Sequence, residues 1–328
     1  MIYGAYSNPQ KLWEQGLTFR DCGINALFLG SGRVDATLIQ RAAAEGAAVY
    51  AEFATFRGDY LLEKCPDVAP IGRDGLPIPK TRRFLGACPS APRLLLEKKA
   101  ALRKLVREQP VAGVWLDYLH FHCDFELPDP PLDQSCFCDR CVLRFTRDTG
   151  LVPAGRTTAE RAEWILSQAL GDWTDWKCDV ILDFATQVRR VLDEVRPDAR
   201  LGLFSCPWTD DEYGGALRTI VAEDLDRLHA VVDVFSPMVY QVKCGRPVEW
   251  VGDYTRWLVD KLAALNQTRR RHVEVWPIVE AEGATASELE AVLRGALRAG
   301  ATGVLFYALP YVAADAAKLA AVRSVYQG

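Results

Sequence analysis

Eight short runs of apolar, β-branched or aromatic residues recur along the chain. Between them, apolar residues fall at intervals of three and four. The runs are IYGAYS (2–7), NALFLG (25–30), AVYAEF (48–53), GVWLDYLHF (113–121), RLGLFSCPW (200–208), VDVFSPMVY (232–240), VEVWPIVEAE (273–282) and GVLFYALPY (303–311). Each reads as a strand. The intervening stretches, such as ATLIQRAAAEG and DVILDFATQVRRVLDEV, read as amphipathic helices, several ending in Gly or Pro. Strands this continuously apolar are buried on both faces, as in parallel sheets. A strand-then-helix alternation repeated eight times predicts a single (β/α)8 TIM barrel. A doubly wound open sheet is disfavoured, because YSNPQKLW after the first run is no Gly-rich phosphate turn. For the same reason no organic cofactor is expected.

Two connections are too long for simple turns, residues 54–91 and residues 122–172. Long loops after barrel strands build the rim that carries function. The expectation is one barrel domain over residues 1–328 with two rim insertions. At 328 residues and 49% hydrophobic, the chain can bury such a core. A net charge of -4 gives no pull toward nucleic acid or an anionic membrane. The basic stretches KTRR (80–83) and RRRH (269–272) are too short to change that. No run approaches the ~20 apolar residues of a membrane span, and the first residues show no basic-then-apolar leader. A cytoplasmic protein is therefore expected, with ten cysteines kept as thiols or metal ligands; a homo-oligomer is possible.

Cys136, Cys138 and Cys141 lie close enough in SCFCDRC for thiolates to converge on one tetrahedral ion. Spacing alone does not choose between that and buried free thiols. A fourth ligand can come from Cys123, His120 or His122 nearby, or from Cys88 in GACPSAP. The stretch CPDVAPIGRDGLPIPKTRRFLGACPSAPRLLLEKKAALRKLV, followed by DYLHFH and CFCDRCVLRFTRDTGL, resembles the glycoside hydrolase family 42 β-galactosidases over roughly residues 49–185. The resemblance implies one structural zinc held by Cys88, Cys136, Cys138 and Cys141. It would clamp two loops that have no core of their own.

Asp117 ends the apolar run GVWLD abruptly, at the height where barrels place catalytic groups, and Glu280 and Glu282 end the seventh run. Strands four and seven face each other across a barrel mouth. Two carboxylates there suit glycosidic cleavage, one protonating the leaving oxygen and the other attacking or guiding water. The resemblance implies retention, with Asp117 as acid/base and Glu280 as nucleophile. Leu116-Asp117-Tyr118 stands where that family has Asn-Glu-Tyr, which leaves role and stereochemistry open. GVWLD is also similar to α-glucosidase-type barrels, in which case the acid comes from Asp210, Asp211 or Glu212. Substrate contacts are expected from Glu52, Tyr118, His120, His122, Trp208, Tyr240 and Glu282, with Trp276 another ring near a strand end. His120 and His122 alternate with Asp117 and would share its strand face. The alternatives are a silent carbohydrate-binding barrel and a zinc-dependent hydrolase built on Asp117, His120 and His122.

Overall fold

Each apolar run forms a parallel strand, and the ring of strands closes on itself. In the computed structural model, which describes residues 1–58, 62, 65–80, 85–267 and 272–328, the strands are β1 (Ile2–Tyr6), β2 (Ala26–Gly30), β3 (Ala48–Ala54), β4 (Gly113–Asp117), β5 (Arg200–Ser205), β6 (Val234–Val239), β7 (Glu274–Val275), β8 (Ile278–Glu280) and β9 (Gly303–Tyr307). Most of KTRR and RRRH, at 81–83 and 269–271, lies outside the described residues. Neighbours pair from β1 through β6, β6 pairs with both β7 and β8, and β8 reaches β1 through β9. β7 and β8 are one stave of the barrel, interrupted at Trp276-Pro277, where proline has no N–H to give. The Trp276 N–H still reaches Phe235 O (2.9 Å), and Pro277 O still accepts from Leu305 (2.8 Å). The eightfold parallel barrel is therefore as the pattern predicts.

Side chains alternate across each strand, so every second residue points into the barrel. One inward layer is aromatic. Trp115 stacks on Trp276 at 5.4 Å between ring centres and meets Tyr50 and Phe28 edge-on at 4.9 and 5.0 Å. The Trp115 indole N–H donates to Ser236 Oγ (2.9 Å). Room for this ring depends on Gly202, where an added Cβ would stand 2.1 Å from the indole. Two residues further along the strands comes the next inward layer: Glu52 after Tyr50, Asp117 after Trp115, and Phe204 after Gly202. That layer is the floor of the mouth.

The strands are shorter than the apolar runs suggest. β4 stops at Asp117, because Tyr118 adopts a left-handed backbone (φ 54°) that breaks the ladder. Residues 118–121 are loop, so His120 and His122 do not share a strand face with Asp117. The second insertion also differs from expectation, since it has a core of its own. Helices Asp139–Thr149 and Thr158–Gln168 form within it, the latter started by a Thr157/Glu160 capping box. Phe137 stacks on Trp173 at 5.3 Å and Phe145 meets it edge-on at 5.1 Å, tying the insertion to helix Leu170–Val195. Among the described residues, no helix is long and apolar enough to cross a membrane.

Candidate active site

The mouth holds a pocket of about 280 Å³. Glu52, Asp117, Phe204, Met238, Ile278 and Tyr307 reach it from the staves, and Arg57, Tyr118, Glu126, Tyr240 and Lys243 from the loops above. Tyr6 donates its hydroxyl to Glu52 Oε2 (3.3 Å). Arg57 donates to the Tyr118 hydroxyl (3.3 Å), its guanidinium 5.2 Å from that ring. Lys243 Nζ sits over the Tyr240 and Tyr307 rings at 4.5 and 4.8 Å and pairs with Glu126 at 3.3 Å. Carboxylates, aromatic faces and two cations converge on one concavity.

The electrostatics favour a protonated carboxyl at its floor. Burial, then the nearby Glu52 and Glu126 charges, push Asp117 well above the usual carboxylate range. Its backbone partner, the Tyr118 N–H at 2.9 Å from Oδ1, and the Arg57 charge act the other way without reversing the shift. Glu52 is also raised, first by burial, with the Tyr6 hydroxyl and the Lys98 and Arg57 charges opposing. Lys98 is itself buried, its pKa lowered by burial to about 8, and its ammonium donates to Ala54 O at the end of β3. Two carboxyls in one pocket thus have environments that favour the neutral form.

Of the residues expected from the sequence, Asp117, Glu52, Tyr118 and Tyr240 line the pocket. Glu280 is buried, and in register with Tyr307 it points inward one step above Ile278. Its carboxylate accepts the Lys243 N–H (3.0 Å), and burial raises its pKa. Glu282 accepts the Tyr311 hydroxyl (2.7 Å) beyond the strand end. His120 lines a small chamber beside the pocket, whereas His122 is turned to the other insertion, its Nδ1 accepting the Gly86 N–H (2.9 Å). Trp208 is buried between Phe125 and Tyr213, and Trp276 belongs to the aromatic layer. Asp210 and Glu212 pair with Lys261 and Arg246 (both 2.8 Å), away from the pocket lining. Sequence reasoning missed Tyr6, Phe204, Met238, Ile278 and Tyr307. Counting two residues on from the aromatic layer finds Phe204 and Ile278. Arg57, Glu126 and Lys243 sit on loops, where no periodicity marks them.

The four expected cysteines meet. The sulfurs of Cys88, Cys136, Cys138 and Cys141 all lie within 4.8 Å of one another, with Cys88 3.7 Å from Cys138 and 3.4 Å from Cys141. A tetrahedron of Zn–S bonds of about 2.3 Å has edges of about 3.8 Å, close to the two distances from Cys88, so the four donors are gathered on the scale of one ion. The Ile71 N–H points at Cys136 Sγ (3.2 Å), a donor that favours thiolate. Cys123 stands apart, donating to Pro131 O (3.4 Å). Among the described residues this is the one group of three or more ligating side chains gathered closely enough to hold an ion. Among the described residues, Asp117, His120 and His122 do not form such a group.

No protein-family profile matches the chain, and no curated protein does. Solved structures do. The glycoside hydrolase domain of PgaB (BpsB) from Bordetella bronchiseptica superposes with a TM-score of 0.71 at 12% identity, covering 99% of this chain and 98% of that one. The β-galactosidase of Halorubrum lacusprofundi gives 0.70 at 11% identity, over 100% of this chain and 58% of that one. A GH42 β-galactosidase from G. stearothermophilus gives 0.68 at 11%, over 99% and 56%. The fold is the barrel of these glycoside hydrolases. The chain spans somewhat over half the length of the two β-galactosidases and nearly all of the PgaB domain.

Proposed function

We propose that the protein is a glycoside hydrolase acting on a carbohydrate, with Asp117 as its proton donor. The observation that carries this reading is a carboxyl at the floor of an aromatic-walled pocket, in surroundings that raise its pKa well above the usual carboxylate range. A general acid must hold its proton until the leaving oxygen takes it, so a raised pKa suits that role. The similar structures support the reaction class, because they are named as glycoside hydrolases. The second carboxylate is Glu126, which lines the pocket beside the Lys243 cation. Glu280, inward on the seventh stave, is the other candidate. The family 42 resemblance supports a retaining course, in which the second carboxylate attacks the sugar. One structural zinc on Cys88, Cys136, Cys138 and Cys141 belongs to the same reading, as does the reducing cytoplasm that keeps such thiolates available.

A chromogenic-glycoside panel tests the reaction, with the first anomer formed followed by NMR. Glu126→Gln and Glu280→Gln divide the remaining role. The variant lacking the true partner loses about 10²–10⁴ in kcat, while the other stays within a few-fold of the parent. Sugar binding without turnover of any panel member would replace the hydrolase with a silent binding barrel.

A further inference from the structure

We infer that a side chamber off the main pocket is a specificity subsite, in which Asp124 accepts a hydrogen bond from one hydroxyl of the sugar. This rests on the glycosidase reading above. The chamber, of about 50 Å³, opens from the pocket past Asp117, Tyr118, Glu126 and Met238. A water needs about 10–15 Å³ of such space, so the chamber takes about three or four water-sized groups. That suits one ring substituent and excludes a ring.

The chamber's own walls are His120, Cys123, Asp124 and Phe125. Two of these polar groups are engaged with the backbone: His120 donates from Nδ1 to Phe121 O (2.6 Å), and the Cys123 thiol donates to Pro131 O (3.4 Å). Burial lowers the His120 pKa to about 4, so its ring stays neutral near pH 7 and adds no compensating charge. The Phe125 ring packs edge-on against His120 at 5.2 Å and keeps that wall apolar.

Asp124 differs. The residue is 6% exposed, its oxygens open onto the chamber and are not sealed in protein, and no protein hydrogen bond or ion pair to its carboxylate is found among the described residues. Water in the chamber can hydrate those oxygens, and a group that displaces this water must replace its hydrogen bonds or leave the carboxylate unpaired, which is costly. Asp124 faces a chamber one substituent wide, beside the carboxyl assigned to bond cleavage. A substrate that fills the chamber therefore has to bring a donor of its own. A ring hydroxyl fits both the volume and the acceptor chemistry of a carboxylate oxygen. A sugar lacking that hydroxyl would leave Asp124 buried and unpaired, which is how a polar site rejects a deoxy analogue.

The test uses the full-length protein and the monodeoxy series of its best aryl glycoside. In the parent, one deoxy position should lower kcat/KM by roughly 10–100-fold, the range for a hydrogen bond to a charged group. In Asp124→Ala the hydroxylated substrate should fall by a similar factor, and the ratio of hydroxylated to deoxy substrate at that position should drop to near one. Asp124→Asn keeps an acceptor of the same shape and should restore part of the ratio, which also guards against a folding defect in the alanine variant. Unchanged discrimination at every position in Asp124→Ala, with turnover intact, overturns the subsite while leaving the hydrolase standing. A protein that turns over no glycoside and binds no sugar overturns both.

Discussion

Asp117→Asn abolishes glycoside turnover, with kcat falling at least about 10²–10⁴-fold, while the barrel stays folded and sugar still binds. The amide fills the same space but has no proton to deliver. The variant also has a stability signature. Asp117 has a folded-state pKa above its unfolded value, so the folded protein holds its proton to higher pH than the unfolded chain does. Its contribution is present below the unfolded pKa and is lost on passing up through the folded one. Above that window the native protein carries an unfavourable buried charge, and the amide removes it. Thermal unfolding at neutral pH should therefore show Asp117→Asn melting at or above the parent temperature, with the difference vanishing in acid. In the parent, kcat/KM should decline toward alkaline pH as the acid loses its proton. Retained activity in the Asp117→Asn variant, its sequence verified, would remove this carboxyl from the mechanism.

Stripping the metal, or replacing Cys138 by Ser, should remove close to one equivalent of zinc and lower the melting temperature. A ligand that binds only the folded state at a thousand times its Kd adds about 4.1 kcal/mol. At an unfolding entropy of about 2.1 cal/mol/K per residue, a chain of 328 residues then loses about 6 °C. Cys123→Ser should change neither quantity, because that sulfur lies outside the cluster. Metal content by mass spectrometry, together with melting curves, reads both. Purified protein without metal that melts as high as zinc-loaded protein would refute the site. The damage should reach the pocket as well. Ala87, beside Cys88, donates to Phe56 O, and Phe56 donates to Tyr118 O (2.6 and 3.1 Å), so the cluster is tied by backbone to the loop bearing Arg57.

The barrel was legible because burial on both faces leaves a continuous apolar record in every strand, interrupted by helix periodicity. The cysteine set was legible for a different reason: close spacing marked three ligands, and a family resemblance supplied Cys88, far upstream in the other insertion. Asp117 was visible as a charge at the end of an apolar strand. Glu126, Lys243 and Arg57 were not, since loop residues obey no period and are brought together only by closure of the ring. The histidines show how an extrapolated period misleads. Alternation would have held through His122 had the strand continued, but Tyr118 turns the backbone, and His120 and His122 end up serving different loops.

The aromatic layer of Phe28, Tyr50, Trp115 and Trp276 seals the barrel directly beneath the carboxylates. The pocket is consequently closed at its floor, so in the proposed hydrolysis substrate, water and both fragments pass through the mouth of the barrel. Departure should then follow depth: the fragment nearest the mouth leaves first, and the sugar lodged over Asp117 leaves last, vacating the place the next substrate needs. That sugar should therefore inhibit competitively, and the first-released fragment should not.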